Sequence, residues 1–189
     1  MTEQDPLAGQ PEAKGPEASA EKPVRHGPPI VVAEEQLNER GEQTAEQLAR
    51  TLGALALDAA GRDDTPWARV DASQLHRAAE KCRDGEMGMD MLNLMLAVDW
   101  VDRIQMIYVL YSTTNNRKAI LKADLPAEAP KISSVTDLWE AGSWYEREAH
   151  DLFGVEFPGN SDMSPLLLYE GFEGHPGLKS YPLNDYEEW

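Results

Sequence analysis

The side chains that could do chemistry are concentrated in residues 144–157, which read W-Y-E-R-E-A-H-D-L-F-G-V-E-F. Glu146 and His150 lie four residues apart, so a helix would bring them to one face, where Asp151 could join them as a metal ligand. Hydrolytic metal motifs usually place two histidines on such a helix. A lone histidine among carboxylates more often makes a local hydrogen bond. A structural role is therefore favoured over a metal site.

Other reaction chemistries find little support in the same region. Glu146 and Glu148 lie two residues apart, so on a helix they point in different directions and cannot act on one substrate as acid and base. Gly171, Gly174 and Gly177 lack a preceding strand and the Lys-Ser or Lys-Thr ending of a phosphate-binding loop. The sequence also contains no G-x-S-x-G nucleophile elbow. By elimination, we interpret these residues as holding a partner.

This chemistry-bearing stretch is predicted to form a helix that begins at Ser143. Arg147 and Asp151 lie four residues apart, and Glu148 and Asp151 lie three apart, so an acidic and a basic side chain can pair along one turn. Gly154 follows where a helix commonly stops, because glycine adopts the left-handed cap without steric cost.

The residues upstream are expected to form the domain that positions this helix. Helical periodicity covers residues 33–60, with Gly41 as a possible break, and is followed by a loop over 61–66 and a strand over 67–71. Ser73 is the predicted N-cap of a second helix. The buried face of that helix is expected to carry Leu75, Ala78, Ala79 and Cys82.

A meander of three strands is predicted next, over residues 91–100, 103–112 and 117–123. The second strand carries apolar residues on both faces, so we expect it to be covered on both sides. A short helix around Leu138 is expected to be capped by Ser134 or Thr136. The order of elements predicts an α+β fold, in which helices pack on an antiparallel sheet, followed by an extended C-terminal tail.

The composition limits the classes of function. The chain has 34 acidic and 17 basic residues, a formal net charge of −17, so phosphate backbones and anionic lipid headgroups would repel it. Cys82 is the single cysteine, so an internal disulfide and a four-cysteine iron–sulfur or zinc site are excluded, and we expect it to be a core residue. The sequence has neither an apolar run of membrane-spanning length nor a signal peptide core, which predicts a cytoplasmic location.

Three regions are predicted along the chain. Residues 1–30, rich in Pro, Glu, Ala and Gly, are expected to be a disordered tail. Residues 31–157 form the predicted α+β domain. Residues 158–189 have little periodicity but keep apolar and aromatic side chains, from Met163 to Trp189, and such a segment needs a surface to lie on. This composition predicts a tail that docks into a groove of a partner.

Three motifs carry a family resemblance: E-R-E-A-H-D-L-F-G-V over residues 146–155, G-F-E-G-H-P over 171–176 and K-S-Y-P-L over 179–183. Together they strongly resemble the 30 kDa subunit, also called the C subunit, of proton-translocating NADH:quinone oxidoreductase, respiratory complex I. Upstream, residues 99–100, 108–112 and 133–139 look like the same family. The resemblance extends from about residue 42 to residue 183.

The resemblance implies a non-catalytic, cofactor-free scaffold subunit of the hydrophilic arm, peripheral on the cytoplasmic side of a membrane complex. It implies docking onto the quinone-site subunit, with neighbouring iron–sulfur subunits as further partners and with FMN and iron–sulfur clusters bound by those partners. Nucleic acid is not an expected partner, and membrane contact would occur only through the complex. The matching positions, expected to serve docking and fold maintenance, are Glu146, Arg147, Glu148, Asp151, Phe153, Gly154, Gly174, His175, Pro176, Lys179 and Pro182.

One segment departs from the family pattern. Residues 159–165 replace a family G-H-P-x-L-R-R element and lack its histidine and both arginines, and His150 occupies a position that is usually aromatic. Arginine makes forked hydrogen bonds that serine and proline cannot replace. The equivalent subunit of a membrane-bound energy-converting nickel–iron hydrogenase, or of a formate-oxidising complex, therefore stays as an alternative. A free-standing binding module would require the apolar tail to fold back on its own domain.

Overall fold

The structure, a computed structural model, describes residues 36–182. Its elements are α1 Glu39–Leu52, β1 Ala56–Arg62, β2 Thr65–Val70, α2 Leu75–Asp84, β3 Met91–Asp99, β4 Arg103–Ser112, β5 Arg117–Pro126 and α3 Gly142–Phe153. The disordered tail expected over residues 1–30 lies outside the described residues, as do Leu183 and Trp189. The boundaries expected near residues 31 and 158 stay predictions.

The five strands form one mixed sheet in the order β1-β2-β5-β4-β3. The predicted α+β class and the β3–β4–β5 meander are confirmed, but β2 and β5 pair in parallel, whereas the sequence predicted only antiparallel pairs. After β2, the chain crosses the sheet through α2 to β3 at the far edge. Two hairpins then return it, so that β5 fills the place beside β2 in the same direction.

The helices pack on one face of the sheet. The core combines Leu48 and Leu52 of α1, Leu75 and Cys82 of α2, and alternate residues of the strands such as Leu121. Cys82 is a fully buried core residue, as predicted, and burial raises the pKa of its thiol to about 12. The other set of strand residues, which we call the outer face, stays partly exposed. The expectation that β4 is covered on both sides is therefore wrong.

The first predicted helix is shorter than its periodicity suggested. It ends at Leu52, because Gly53 turns the backbone to a φ of 55°, and the residues after 55 pair with β2 instead of continuing the helix. Gly41 does not break the helix but lies in its first turn, where a Cβ would overlap the carbonyl oxygen of Asp63. The predicted loop over residues 61–66 is a tight β1–β2 hairpin.

Two of the predicted helix caps are also wrong. The side chain of Asp71 accepts the backbone N–H of Ser73 at 2.9 Å, so Asp71 caps the short 3-10 turn that leads into α2. Residues 135–139 form a turn instead of the expected short helix, and the Ser134 hydroxyl accepts the N–H of Thr136 within it. None of the helices within residues 36–182 has the length and apolar character to cross a membrane.

The β3–β4 turn contains a strained valine. Val101 has a φ of 75°, a region that costs a residue with a Cβ about 1–2 kcal/mol. It is held there because its N–H donates to Asp99 at 2.6 Å. We expect Val101→Gly to raise the free energy of unfolding by roughly 0.5–1 kcal/mol, measured by urea denaturation. Val98→Gly in β3 is the control and should lower the free energy of unfolding, because glycine weakens a strand interior. If Val101→Gly lowers it by a similar amount, Val101 is not strained.

Candidate partner-docking site

The helix that the sequence singled out, α3, ends as predicted. Its last turn closes when the N–H of Gly154 donates to the carbonyl of His150 at 2.8 Å, with Gly154 at a φ of 72°. The position also needs glycine for space, since a Cβ would lie 2.7 Å from Nε2 of His175. The end of α3 is thus shaped to receive residues 171–182.

Glu146 is the buried anchor of α3. It is fully buried, accepting the N–H of Val135 at 2.8 Å and the side-chain amide of Asn160 at 3.0 Å. Burial raises its pKa, and the hydrogen bonds from Val135, Ser134 and Asn160 offset only part of that effect. Since a buried carboxylate is tolerated only with such partners, Glu146 ties two loops to the helix.

His150 makes the local hydrogen bond that the sequence favoured over metal binding. Its Nδ1–H donates to the carbonyl of Val155 at 3.0 Å. Within residues 36–182 no cluster of three or more His, Cys, Asp or Glu side chains could hold a metal ion.

Asp151 holds the tail, a name we use for residues 158–182. One carboxylate oxygen accepts the backbone N–H groups of Leu166, Leu167 and Leu168, at 2.8, 2.8 and 3.2 Å. Burial raises the pKa of Asp151, but the three hydrogen bonds together lower it by more than burial raises it. The pKa of this carboxyl group therefore lies below its ordinary range. The ionised carboxylate therefore stabilises this turn of the tail.

Arg147 holds the tail from the neighbouring position. Its guanidinium donates to the carbonyls of Ser164 at 2.8 Å and Pro165 at 3.0 Å, and lies 3.7 Å from the carboxylate of Asp162. Its side chain is only 14% exposed. The expected pairing of Arg147 with Asp151 along the helix does not occur, because both side chains bind the tail instead.

The last part of the tail binds the end of α3 and the β3–β4 turn. His175 donates from Nδ1 to the carbonyl of Asp151 at 2.9 Å, and the N–H of Gly177 donates to the carbonyl of Leu152 at 2.8 Å. These bonds satisfy carbonyls that a helix end leaves unpaired. The N–H of Lys179 donates to Asp99 at 2.8 Å. The backbone of the tail therefore lies on its own domain. The sequence had predicted instead that the tail docks into a groove of a partner.

Some apolar side chains of α3 and the tail stay exposed, although Met163 and Leu178 pack against the core. Leu167 is 58% exposed and Tyr169 is 72% exposed, and Trp144 on α3 is 63% exposed. Tyr169 packs edge-on against Phe172 with 5.3 Å between ring centroids. We call Trp144, Leu167 and Tyr169 the docking surface. A backbone held by buried polar groups under exposed apolar side chains is an arrangement that suits a protein interface.

The eleven residues that the sequence assigned to docking differ in their contacts and exposure. Glu146, Arg147 and Asp151 hold the tail with their side chains, and their docking role stays a prediction. His175 also holds the tail through its side chain, whereas Lys179 does so through its backbone N–H, and Gly154 provides space. Glu148, Gly174, Lys179 and Pro182 are exposed, while Phe153 and Pro176 are partly buried. Trp144, Leu167 and Tyr169 are not among these eleven residues. The apolar residues of the tail, which had no other explanation in the sequence, were the signal that could have identified Leu167 and Tyr169.

The hold of Asp151 on the tail gives a pH dependence of known sign. Because its pKa is lowered in the folded state, its contribution to stability is complete above the unfolded pKa and disappears as pH falls through the folded value. We expect the difference in free energy of unfolding between wild type and Asp151→Asn to stay constant from about pH 7 to 5 and to shrink below about pH 4. Urea denaturation at each pH measures it. A difference that stays constant down to pH 3 would exclude this role.

The chain is similar in sequence to one family of respiratory-chain subunits. The sequence profile of the family described as respiratory-chain NADH dehydrogenase, 30 Kd subunit, matches residues 68–187. The chain is 33% identical over 148 residues to the C subunit of NADH-quinone oxidoreductase from Methylobacterium sp. (strain 4-46), covering 76% of this chain and 68% of that protein. It is 44% identical over 87 residues to the C subunit from Novosphingobium aromaticivorans, covering 46% and 28%. The chain spans less than half the length of several such curated relatives.

Two solved structures share the fold. A chain of the membrane-bound sulfane sulfur reductase, an archaeal respiratory membrane complex, aligns with a TM-score of 0.64 and 24% identity, covering 79% of this chain and 96% of that one. A trypsin-resistant fragment of Nqo5 aligns with a TM-score of 0.54 and 24% identity, covering 65% and 98%.

Proposed function

The chain belongs to the family of the 30 kDa subunit of respiratory-chain NADH dehydrogenase, and we propose that it is a scaffold subunit of a proton-translocating NADH:quinone oxidoreductase. In this role it lies in the hydrophilic arm, on the cytoplasmic side of the membrane, and docks onto the quinone-site subunit. It contributes no catalytic residue and no cofactor of its own. FMN and the iron–sulfur clusters belong to partner subunits.

The observation that carries this proposal is that polar side chains of α3 hold the tail, while apolar side chains of α3 and the tail stay exposed. Arg147 and Asp151 form hydrogen bonds with backbone groups of the tail, and Arg147 also pairs with the carboxylate of Asp162, so they fix the path of the tail without using its apolar side chains. Trp144, Leu167 and Tyr169 are left exposed by more than half. Exposed aromatic residues on a rigid support are the typical energetic centres of interfaces. Such a surface supports docking as the main task of this chain.

Rigid docking also explains how a subunit without redox chemistry supports electron transfer. Cofactors in partner subunits must stay at fixed separations, and a scaffold that binds two of those subunits fixes their relative position. The tail is joined to the β3–β4 turn through Asp99 and to α3 through Asp151. The docking surface is therefore fixed to both the sheet and α3.

The alternative is the equivalent subunit of a related membrane-bound complex, such as an energy-converting nickel–iron hydrogenase or a formate-oxidising complex. A chain of an archaeal sulfane sulfur reductase shares the fold over 79% of this chain. In addition, residues 159–165 lack the histidine and arginines of the NADH-linked pattern. Here Asn160 and Asp162 take part in holding the tail instead.

Affinity purification of the tagged full chain from gently solubilised native membranes, with the subunits identified by mass, tests the proposal. A quinone-site subunit that arrives with iron–sulfur subunits and NADH-linked quinone reduction would support it. A nickel-binding large subunit would support the alternative. A chain that arrives alone from membranes in which the complex is intact would overturn both.

A further inference from the structure

A small cavity lies where the end of α3 meets the tail. Its volume is about 150 Å³, roughly five times the volume of about 30 Å³ that one water molecule takes up in the liquid. His150, Asp151 and His175 are the polar side chains of its lining, and Tyr169 and Phe172 add aromatic rings. The cavity is therefore large enough for the end of a long polar side chain.

The two histidines of this cavity present hydrogen-bond acceptors. The Nδ1–H of His150 donates to the carbonyl of Val155 at 3.0 Å, and the Nδ1–H of His175 donates to the carbonyl of Asp151 at 2.9 Å. Because a carbonyl only accepts, each neutral imidazole carries its proton on Nδ1 and a lone pair on Nε2. Neither Nε2 forms a hydrogen bond with any group of residues 36–182. Both are therefore available to an incoming donor.

Asp151 adds a carboxylate that is only 6% exposed. The three N–H groups of the tail all bind one of its oxygens, Oδ2, at 2.8–3.2 Å, and its other oxygen accepts no hydrogen bond within the described part of the chain. The basic residue one turn earlier, Arg147, binds the carbonyls of Ser164 and Pro165 instead. A nearly buried carboxylate that lacks a cation is stabilised when one arrives, because charge-assisted hydrogen bonds are the strong ones.

Exposed acids surround the same cavity. Glu170 and Glu173 follow Tyr169 and Phe172 directly in the sequence, are exposed, and form no ion pair with the other residues that the structure describes. Residues 142–182 as a whole contain seven acidic and two basic residues. Since like charges repel and opposite charges attract a partner, the cavity and its rim are complementary to a cation.

We propose that this cavity receives a basic side chain, Lys or Arg, of the subunit that binds the docking surface. The ammonium or guanidinium group donates to the Nε2 atoms and to the second oxygen of Asp151, and it lies beside the rings of Tyr169 and Phe172, where a cation is attracted to an aromatic face. The three polar side chains do not form a group that could hold a metal ion. The inference rests on the docking role proposed above and names the chemistry that the partner brings to it.

Asparagine at each histidine position removes Nε2 selectively. Its side-chain amide nitrogen is as many bonds from Cα as Nδ1, so His150→Asn and His175→Asn can keep the hydrogen bonds to Val155 and Asp151. The tagged full chain is purified from native membranes, and the rate at which partner subunits leave the immobilised chain is measured. Each variant should release them about tenfold faster, while the melting temperature of the purified chain stays at the wild-type value.

The rim is tested by a matched pair of charge changes. Glu170→Gln with Glu173→Gln removes two carboxylates beside the cavity and should lower the yield of copurified partner subunits about fivefold. Glu80→Gln with Glu86→Gln makes the same change in net charge at the end of α2 and should alter the yield less than about twofold. Equal losses in the two pairs would contradict the proposed complementarity.

A photo-crosslink identifies the basic side chain. The full chain carries p-benzoyl-phenylalanine at position 169, and the crosslinked residue of the partner is located by mass spectrometry. A Lys or Arg is expected next to it. Changing that residue to Gln should speed release about tenfold from the wild-type chain but add little to the effect of His175→Asn, because the two changes remove the same contact.

The outcomes separate this inference from the docking role. If Trp144→Ala speeds release and neither histidine variant does, docking stands and the cavity has no part in it. If none of these variants changes release, both proposals fail. A crosslinked site without a neighbouring Lys or Arg would also overturn the inference, as would additive effects of the Gln and Asn changes. If EDTA speeds release from wild type but not from the histidine variants, a metal ion occupies the cavity instead. If the histidine variants melt at a lower temperature, the Gln change in the partner decides alone.

Discussion

Replacing Arg147 with alanine is expected to release residues 162–168 from α3 and to lower the yield of the assembled complex. The guanidinium donates to the carbonyls of Ser164 and Pro165, and hydrogen bonds to charged groups contribute about 1.5–3 kcal/mol. Both carbonyls belong to exposed residues and can bond water afterwards, so we expect a net local loss of about 1.5–3 kcal/mol. The amides of Leu166 to Leu168 should then exchange roughly 10- to 100-fold faster, as measured by hydrogen–deuterium exchange.

Two further variants distinguish this role from a general loss of charge. Arg147→Lys keeps the charge but cannot donate in the same fork to two carbonyls, so it should restore only part of the protection. Arg50→Ala removes an arginine that is 67% exposed and pairs with Glu46 four residues away. Such pairs contribute about 0.3–0.5 kcal/mol, so its tail amides and complex yield should match wild type. Unchanged exchange of the tail in Arg147→Ala would rule out the structural role.

The fate of Arg147 shows which part of the site the sequence could predict. The helix and its end at Gly154 depend on local rules, and both follow from the residues between 142 and 154. The partner of Arg147 does not, because the (i, i+4) rule describes an isolated helix. Here tail carbonyls 17 and 18 residues away displace Asp151 as the partner, and Asp151 itself binds amides 15 to 17 residues away.

The sheet divides in the same way. β4 is rich in β-branched and aromatic residues, and β3 and β5 are apolar segments joined to it by short turns, so local patterns suffice to find them. β1 reads A-L-D-A-A-G-R, a composition with little strand preference, and it exists because it pairs with β2. The parallel β2–β5 pairing joins residues about fifty positions apart. Strand residues alone do not specify such a non-local neighbour.

The role of the tail follows from its composition together with its contacts in the structure. Its apolar composition without periodicity predicted a segment that docks into a groove of a partner. The structure instead lays its backbone on its own domain, and a partner for its exposed side chains stays a prediction. The sequence could not indicate which atoms would be bound. In the structure, Asp99, Arg147 and Asp151 bind the backbone of the tail. Met163 and Leu178 pack against the core, and Leu167 and Tyr169 stay exposed. A tail of this kind is both folded on its own domain and available to a partner.

The docking surface predicts a loss of assembly without a loss of fold. Trp144→Ala and Tyr169→Ala should each weaken binding to the partner subunit by about 2 kcal/mol or more, the range of interface hot spots. Together they should lower the affinity by roughly 30- to 1,000-fold, depending on how far their effects add. Both side chains are mostly exposed in this chain, so its own free energy of unfolding should change by less than about 0.5 kcal/mol.

The measurement is the yield of partner subunits that copurify with the tagged chain from native membranes, alongside the melting temperature of each purified variant. A matched pair of leucines supplies the control. Leu167 is 58% exposed on the docking surface and Leu57 is 64% exposed on β1, so truncating either to alanine removes the same exposed group. If docking uses this surface, Leu167→Ala lowers the yield and Leu57→Ala does not. Equal yields for the two leucine variants, with wild-type yields for Trp144→Ala and Tyr169→Ala, would place the interface elsewhere on the chain.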